Sequence, residues 1–124
     1  MSNFELRSDP EHSLIAVSLY GYWSMATFTA YADAIRAELH RMKLKGGCRH
    51  CLVDATDFAV QSMEITEALQ ALTDSFPPDC PERIAGFTGS KLSELQARRA
   101  GQSSTRRVFA TRAAAEAWLF SDTA

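Results

Sequence analysis

The chain has 124 residues, 46% of them hydrophobic and 23% charged, with a formal net charge of −2. That length fits one ordinary domain and not two, and it allows enough burial to fold without disulfides or a structural metal. The near-neutral balance excludes a uniformly basic nucleic-acid binder and an acidic disordered tail.

In chain order, residues 4–7 and 14–20 are apolar runs divided by Ser8-Asp9-Pro10-Glu11, which predicts a β-hairpin. Leu14, Ile15, Val17, Leu19 and Tyr20 give the second run its strand character. Gly21 ends that strand, and Ser24 stands where a helix N-cap is expected. Phe28, Tyr31, Ala32, Ile35, Leu39 and Met42 then recur at helical spacing, and Gly46-Gly47 close the helix. Cys51-Leu52-Val53 is a continuous apolar run, as in a strand buried on both faces, with a turn expected over residues 54–57. A second helix begins near Ser62 and ends at Pro77-Pro78, which cannot donate helical hydrogen bonds.

Residues 83–88 read as a strand, 90–100 as a helix, 106–110 as a strand and 112–120 as a last helix. Trp118 is expected to be the buried anchor of that last, Ala-rich helix. A hairpin followed by alternating strands and helices predicts an α/β layer: a mixed, mostly parallel five-stranded sheet with about four helices. The right-handed crossover rule leaves open whether the helices cover one face or both.

No G-x-S-x-G, H-E-x-x-H or Walker pattern occurs, and no enzymatic activity, cofactor or metal is expected. Cys48-Arg49-His50-Cys51 is a C-x-x-C, but it precedes a strand instead of a helix, so no helix dipole lowers its thiol pKa. Two structural cysteines at a strand entrance, with Cys51 partly buried, are the simpler reading. Asp54 closes the buried strand, where α/β sheets keep their sites; a carboxylate that serves the local backbone of a turn is the favoured reading.

Charge order carries more information than net charge. Residues 1–82 hold six Lys/Arg against twelve Asp/Glu, whereas residues 83–112 hold seven Lys/Arg and only Glu94. Within the basic block, Gly86-Phe87-Thr88-Gly89-Ser90-Lys91 runs from a strand end into a helix start, a place where backbone N–H groups can meet an anion. Gly89, Ser90, Lys91, Arg98, Arg99 and Arg112 are therefore candidate residues for an anionic ligand or surface, with a solvated basic face as the alternative. Met63, Ile65, Leu69, Leu72 and Phe76 form an apolar stripe that packs a core or, if the helix swings outward, lines a lipophilic pocket. Acidic headgroups would then favour the basic block.

The hairpin ending in Leu19-Tyr20-Gly21-Tyr22-Trp23-Ser24, the strands Cys51-Leu52-Val53-Asp54 and Arg83-Ile84-Ala85-Gly86-Phe87, and the closing Arg107-Val108-Phe109-Ala110 with Ala117-Trp118-Leu119 resemble the SpoIIAA-like family of STAS domains. These small bacterial proteins are related in shape to CRAL-TRIO lipid-binding domains. The resemblance spans residues 4–120 and implies one STAS-like domain over residues 1–124, with a regulatory or ligand-binding role. Anti-sigma-factor antagonists of this family carry a phosphorylatable serine in a D-S-[ST]-G-type motif after the buried strand. Ser62 occupies the matching position, in Gln61-Ser62-Met63-Glu64, without the Asp or the Gly, and also reads as a helix N-cap.

The expected function is non-enzymatic binding of a lipophilic or amphipathic ligand, or of an acidic membrane surface. The alternative is a protein-interaction regulator of the anti-sigma-factor-antagonist kind, with Ser62 and Asp54 as candidate regulatory residues. No apolar run reaches the roughly 18 residues of a membrane span. The opening MSNFELRSDP lacks a secretory pattern, and three cysteines suit a reducing compartment, so a cytoplasmic location with at most peripheral membrane association is expected.

Overall fold

Five strands assemble into one mixed sheet in a computed structural model that describes residues 3–77, 81–89 and 105–121. They are β1 (Phe4–Asp9), β2 (Leu14–Gly21), β3 (His50–Phe58), β4 (Arg83–Phe87) and β5 (Arg106–Phe109), and their order across the sheet is their order along the chain. β1 and β2 pair antiparallel, and every later neighbour pairs parallel. The α-helices among the described residues are α1 (Met25–Leu44), α2 (Met63–Asp74) and α3 (Arg112–Leu119), with a 3-10 turn at Pro10–His12 inside the hairpin. The mixed, mostly parallel sheet read from the sequence is present; the helix expected over residues 90–100 lies outside the described residues.

Sequential strand order settles where the crossover helices go. Each step from β2 to β3 to β4 moves the same way across the sheet, so right-handed crossovers place α1 and α2 on the same face. On that face Ile15, Val17, Leu19 and Cys51 pack against Tyr31, Ala32, Ile35, Leu39 and Met42 of α1 and Ile65 and Leu72 of α2. The apolar stripe read from α1 is the buried one. On the other face Leu52, Ala85 and Phe87 meet Ala115 and Leu119 of α3. β3 is thus buried on both sides at Cys51-Leu52.

Three helix starts are capped by side chains: Ser24 accepts from the Thr27 N–H, Ser62 from the Ile65 N–H and Thr111 from the Ala114 N–H. α1 stops where Gly47, at a φ of +112°, turns its N–H back to the Met42 carbonyl at 2.8 Å.

Trp23, 1% exposed, sits just after β2. Its ring centroid lies 5.1 Å from those of Tyr31 and Phe58 and 6.1 Å from that of Phe4. Its indole N–H donates to the Tyr20 carbonyl at 2.9 Å. One side chain therefore links β1, β2, α1 and β3.

One expectation needs correction. The turn over residues 54–57 is strand: β3 continues to Phe58, and its extra residue opposite Ser18–Tyr20 is absorbed as a register shift, a β-bulge. The local hydrogen bond expected of Asp54 does form, from the Thr56 N–H to Asp54 Oδ1 at 3.0 Å. Trp118 is partly buried and packs against the cluster in which Ala115 and Leu119, both 0% exposed, are the most deeply buried residues of α3. Trp118 flanks Phe109, with the guanidinium groups of Arg83 and Arg107 each 5.4 Å from its ring centroid.

Both cysteines of the C-x-x-C are buried thiols at the entrance of β3. Cys48 donates to the His50 carbonyl. Burial, and secondarily the neighbouring Cys48, push the Cys51 thiol far above its ordinary range, so it does not ionise near neutral pH.

Urea denaturation is expected to show a loss of about 3–5 kcal/mol for Trp23→Ala and less than half of that for Trp118→Ala; equal losses would show that the two rings carry similar weight. In a Cys80→Ser background, a thiol-specific disulfide reagent should react with Cys48 and Cys51 only at the rate of unfolding. Rapid modification of the native protein would show that the entrance of β3 opens on its own.

Candidate functional site

β2 and β3 are parallel neighbours, so the loops that leave their C-terminal ends emerge side by side, one entering α1 and the other α2. Ligand sites of α/β sheets collect at this end. Gln61 ties the two loops together. Its Oε1 accepts from the Trp23 N–H at 2.8 Å, and its Nε2 donates to the carbonyls of Gly21 at 2.8 Å and Ala59 at 2.6 Å. The Ala59 N–H adds a backbone bond to the Gly21 carbonyl at 3.1 Å.

Four large apolar side chains stand in solvent around this junction. Tyr22 is 64% exposed, Met25 42%, Val60 71% and Met63 76%. Each lies one or two residues from Trp23 or Gln61, the pair joined by hydrogen bond. Apolar groups gathered in this way on a surface mark an interaction site more often than singly scattered ones do. Ser62 sits among them at the N-terminus of α2, half-buried, with its Oγ accepting from the Ile65 N–H at 3.2 Å and its carbonyl accepting from the Thr66 hydroxyl at 3.0 Å.

The sequence-derived residues fall in separate places. Of the apolar stripe, Ile65 and Leu72 are core residues, Leu69 and Phe76 pack partly buried against that core, and Met63 points into solvent. Of the basic block, Ser90, Lys91, Arg98 and Arg99 lie outside the described residues. Gly89, at a φ of +78°, spends its N–H on the Ala110 carbonyl at 3.0 Å, and Thr88 spends its own on Phe109. Arg112 pairs with Glu116 at 2.8 Å and lies 5.6 Å from the Phe87 ring centroid. Arg83 binds the C-terminal end of α3 through the Trp118 and Ser121 carbonyls, and Arg106 pairs with Asp74. The described part of the basic block is thus largely engaged within the protein.

Asp54 lines a different feature, a groove of about 540 Å³ on the face of the sheet opposite α1 and α2. Its charged lining is balanced, Glu5 and Asp54 against Arg7 and Arg112. Among the described residues, Asp9, Glu11 and His12 bring three potential metal donors together in the hairpin turn. All the same, Asp9 Oδ2 already holds His12 Nδ1 at 2.7 Å on an exposed surface. That hydrogen bond holds the Asp9 carboxyl below its usual range and raises the His12 imidazole.

Tyr22, Met25, Val60 and Gln61 were not singled out from the sequence. The available signal was slight: Tyr22 and Val60 are apolar residues beside turn residues, out of phase with the strand before each. No helix among the described residues is long and apolar enough to cross a membrane.

No family model and no curated protein matches this sequence. Solved structures do match it in shape. An anti-sigma factor antagonist from Mycobacterium paratuberculosis superposes with a TM-score of 0.67 at 14% identity, covering 95% of each chain. An uncharacterized protein from Shewanella loihica with a SpoIIAA-like fold superposes with a TM-score of 0.66 at 16% identity, covering 94% of this chain and 91% of the other. Strand order, the antiparallel hairpin and near-complete coverage agree on one conclusion: this chain has the SpoIIAA-like, STAS-type fold.

Proposed function

We propose that this protein is a regulatory module without catalytic activity, which acts by binding a protein partner through the surface around Ser62. The observation that carries the reading is the exposed apolar group Tyr22, Met25, Val60 and Met63 around the capped N-terminus of α2. The likeness in fold to an anti-sigma factor antagonist supports it. Ser62 gives such a surface a natural control point. A phosphate there would bring about −1.5 to −2 charges into an apolar patch. The helix N-terminus tolerates an anion, so the fold would persist while the patch lost its affinity.

A lipophilic ligand beneath α2 fits less well. It would have to displace Ile65 and Leu72, which are 2% and 3% exposed, from the shared core. An anionic surface would have to compete with the internal partners of Arg83, Arg106 and Arg112.

The test is affinity capture from the native host with the full chain as bait, followed by a binding titration with the recovered protein. One stoichiometric partner is expected. Val60→Asp with Met63→Asp should weaken its binding at least tenfold, as loss of an interface anchor does, and Ser62→Glu should weaken it as well. Glu11→Gln, in the hairpin turn, should leave it unchanged. Equal binding by all variants, or no stoichiometric partner, would refute the proposal.

A further inference from the structure

β1 is the outermost strand of the sheet, and among the described residues nothing pairs with its free edge. The phase of its hydrogen bonds shows which residues present that edge. The Tyr20 N–H donates to the Asn3 carbonyl at 2.8 Å, one step beyond the Phe4↔Leu19 pair of the β1–β2 register. Asn3 and Tyr20 therefore form a hydrogen-bonded pair. The register runs without a shift from Phe4 to Asp9. Strict alternation then directs the backbone groups of Glu5, Arg7 and Asp9 to β2 and those of Phe4, Leu6 and Ser8 outward.

We propose that this edge pairs antiparallel with β1 of a second copy of the chain, about a twofold axis at Leu6. In that register Leu6 meets Leu6 of the second copy, and Phe4 and Ser8 meet each other in both directions. All three outward-facing residues of each strand then find hydrogen-bonded partners, two bonds to each such pair. A twofold axis at Phe4 or Ser8 would carry outward residues past the strand ends, so Leu6 is the centre that uses the whole edge.

The side chains select the same register. Glu5 stands opposite Arg7 of the second copy, twice, at the non-hydrogen-bonded positions where strands bring side chains closest, with Cα atoms about 4.5 Å apart. Glu5 and Arg7 are both exposed, both line the open-face groove, and neither has an ion-pair partner among the described residues. Sheet edges that avoid pairing carry a proline, a bulge or an inward charge. Phe4–Asp9 has no proline and no bulge, and its charges alternate in sign in the way a twofold axis can satisfy. An interface this short falls at or below the small end of specific contacts, roughly 1,200 Å², so the dimer is weak and concentration-dependent.

Sedimentation equilibrium of the full chain at low salt, up to roughly 1 mM, tests this. A monomer–dimer equilibrium is expected. Glu5→Arg and Arg7→Glu should each turn two attractions into repulsions and weaken the dimer by about tenfold. The double variant Glu5→Arg/Arg7→Glu should restore it to within about threefold of the original. Both sites are exposed, so circular dichroism should show every variant folded. A monomer at all concentrations would overturn the proposal and leave the edge to an extended segment of another protein or to solvent. A dimer indifferent to these changes, or a double variant as weak as the single ones, would overturn it equally.

Discussion

The enclosure of Trp23 is the constraint on which the rest of this structure depends. Its ring is surrounded by Phe4 from β1, Tyr31 from α1 and Phe58 from the end of β3, and its N–H is committed to the Tyr20 carbonyl. An aromatic side chain of this size ties these elements together because each contributes part of the wall. The backbone N–H of the same residue is bound by Gln61. The hydrophobic centre and the loops and helix starts that display Tyr22, Met25, Val60 and Met63 are therefore positioned by adjacent atoms. The exposed patch stands on a rigid support although Tyr22 and Val60 lie in loops.

The second organising fact is one-sidedness. Among the described residues, α1 and α2 lie on one face and α3 covers the β3–β5 half of the other, which leaves the β1–β2 half of that face a polar, open surface. The charges on that surface alternate in sign, whereas Arg83 and Arg106 of the basic block are held by partners within the protein. Arg83 satisfies carbonyls at the end of α3, a position where a cation also offsets the helix dipole. Charge segregation along the chain thus does not translate into a uniform basic patch over the described residues.

Much of the architecture was legible because period and punctuation agree. The α1 stripe, the Ser24 and Ser62 caps, the Gly46-Gly47 stop and the hairpin each combine a hydrophobic period with a residue of defined local role. One feature was not legible for a tertiary reason. Asp54 to Asp57 reads as a turn on local propensity, but pairing with β2 keeps it extended and converts the surplus residue into a bulge. Trp118 reads as an anchor on size, and it packs partly buried against the cluster that Ala115 and Leu119 enter more deeply. The interaction surface was the least legible part. A valine or methionine looks like core in a sequence, and only the tertiary arrangement shows Val60 and Met63 in solvent.

The sheet order has a consequence for synthesis. Since each described strand after β1 lies beside its predecessor in the chain, none of them waits for a later segment to supply its first neighbour. As the chain leaves the ribosome from its N-terminus, the hairpin can close first. α1 and α2 can then each deliver one strand, β3 and β4, to an edge that already exists. Growth therefore always proceeds from the β2 side outward, and the β1 edge is the first backbone surface to be completed.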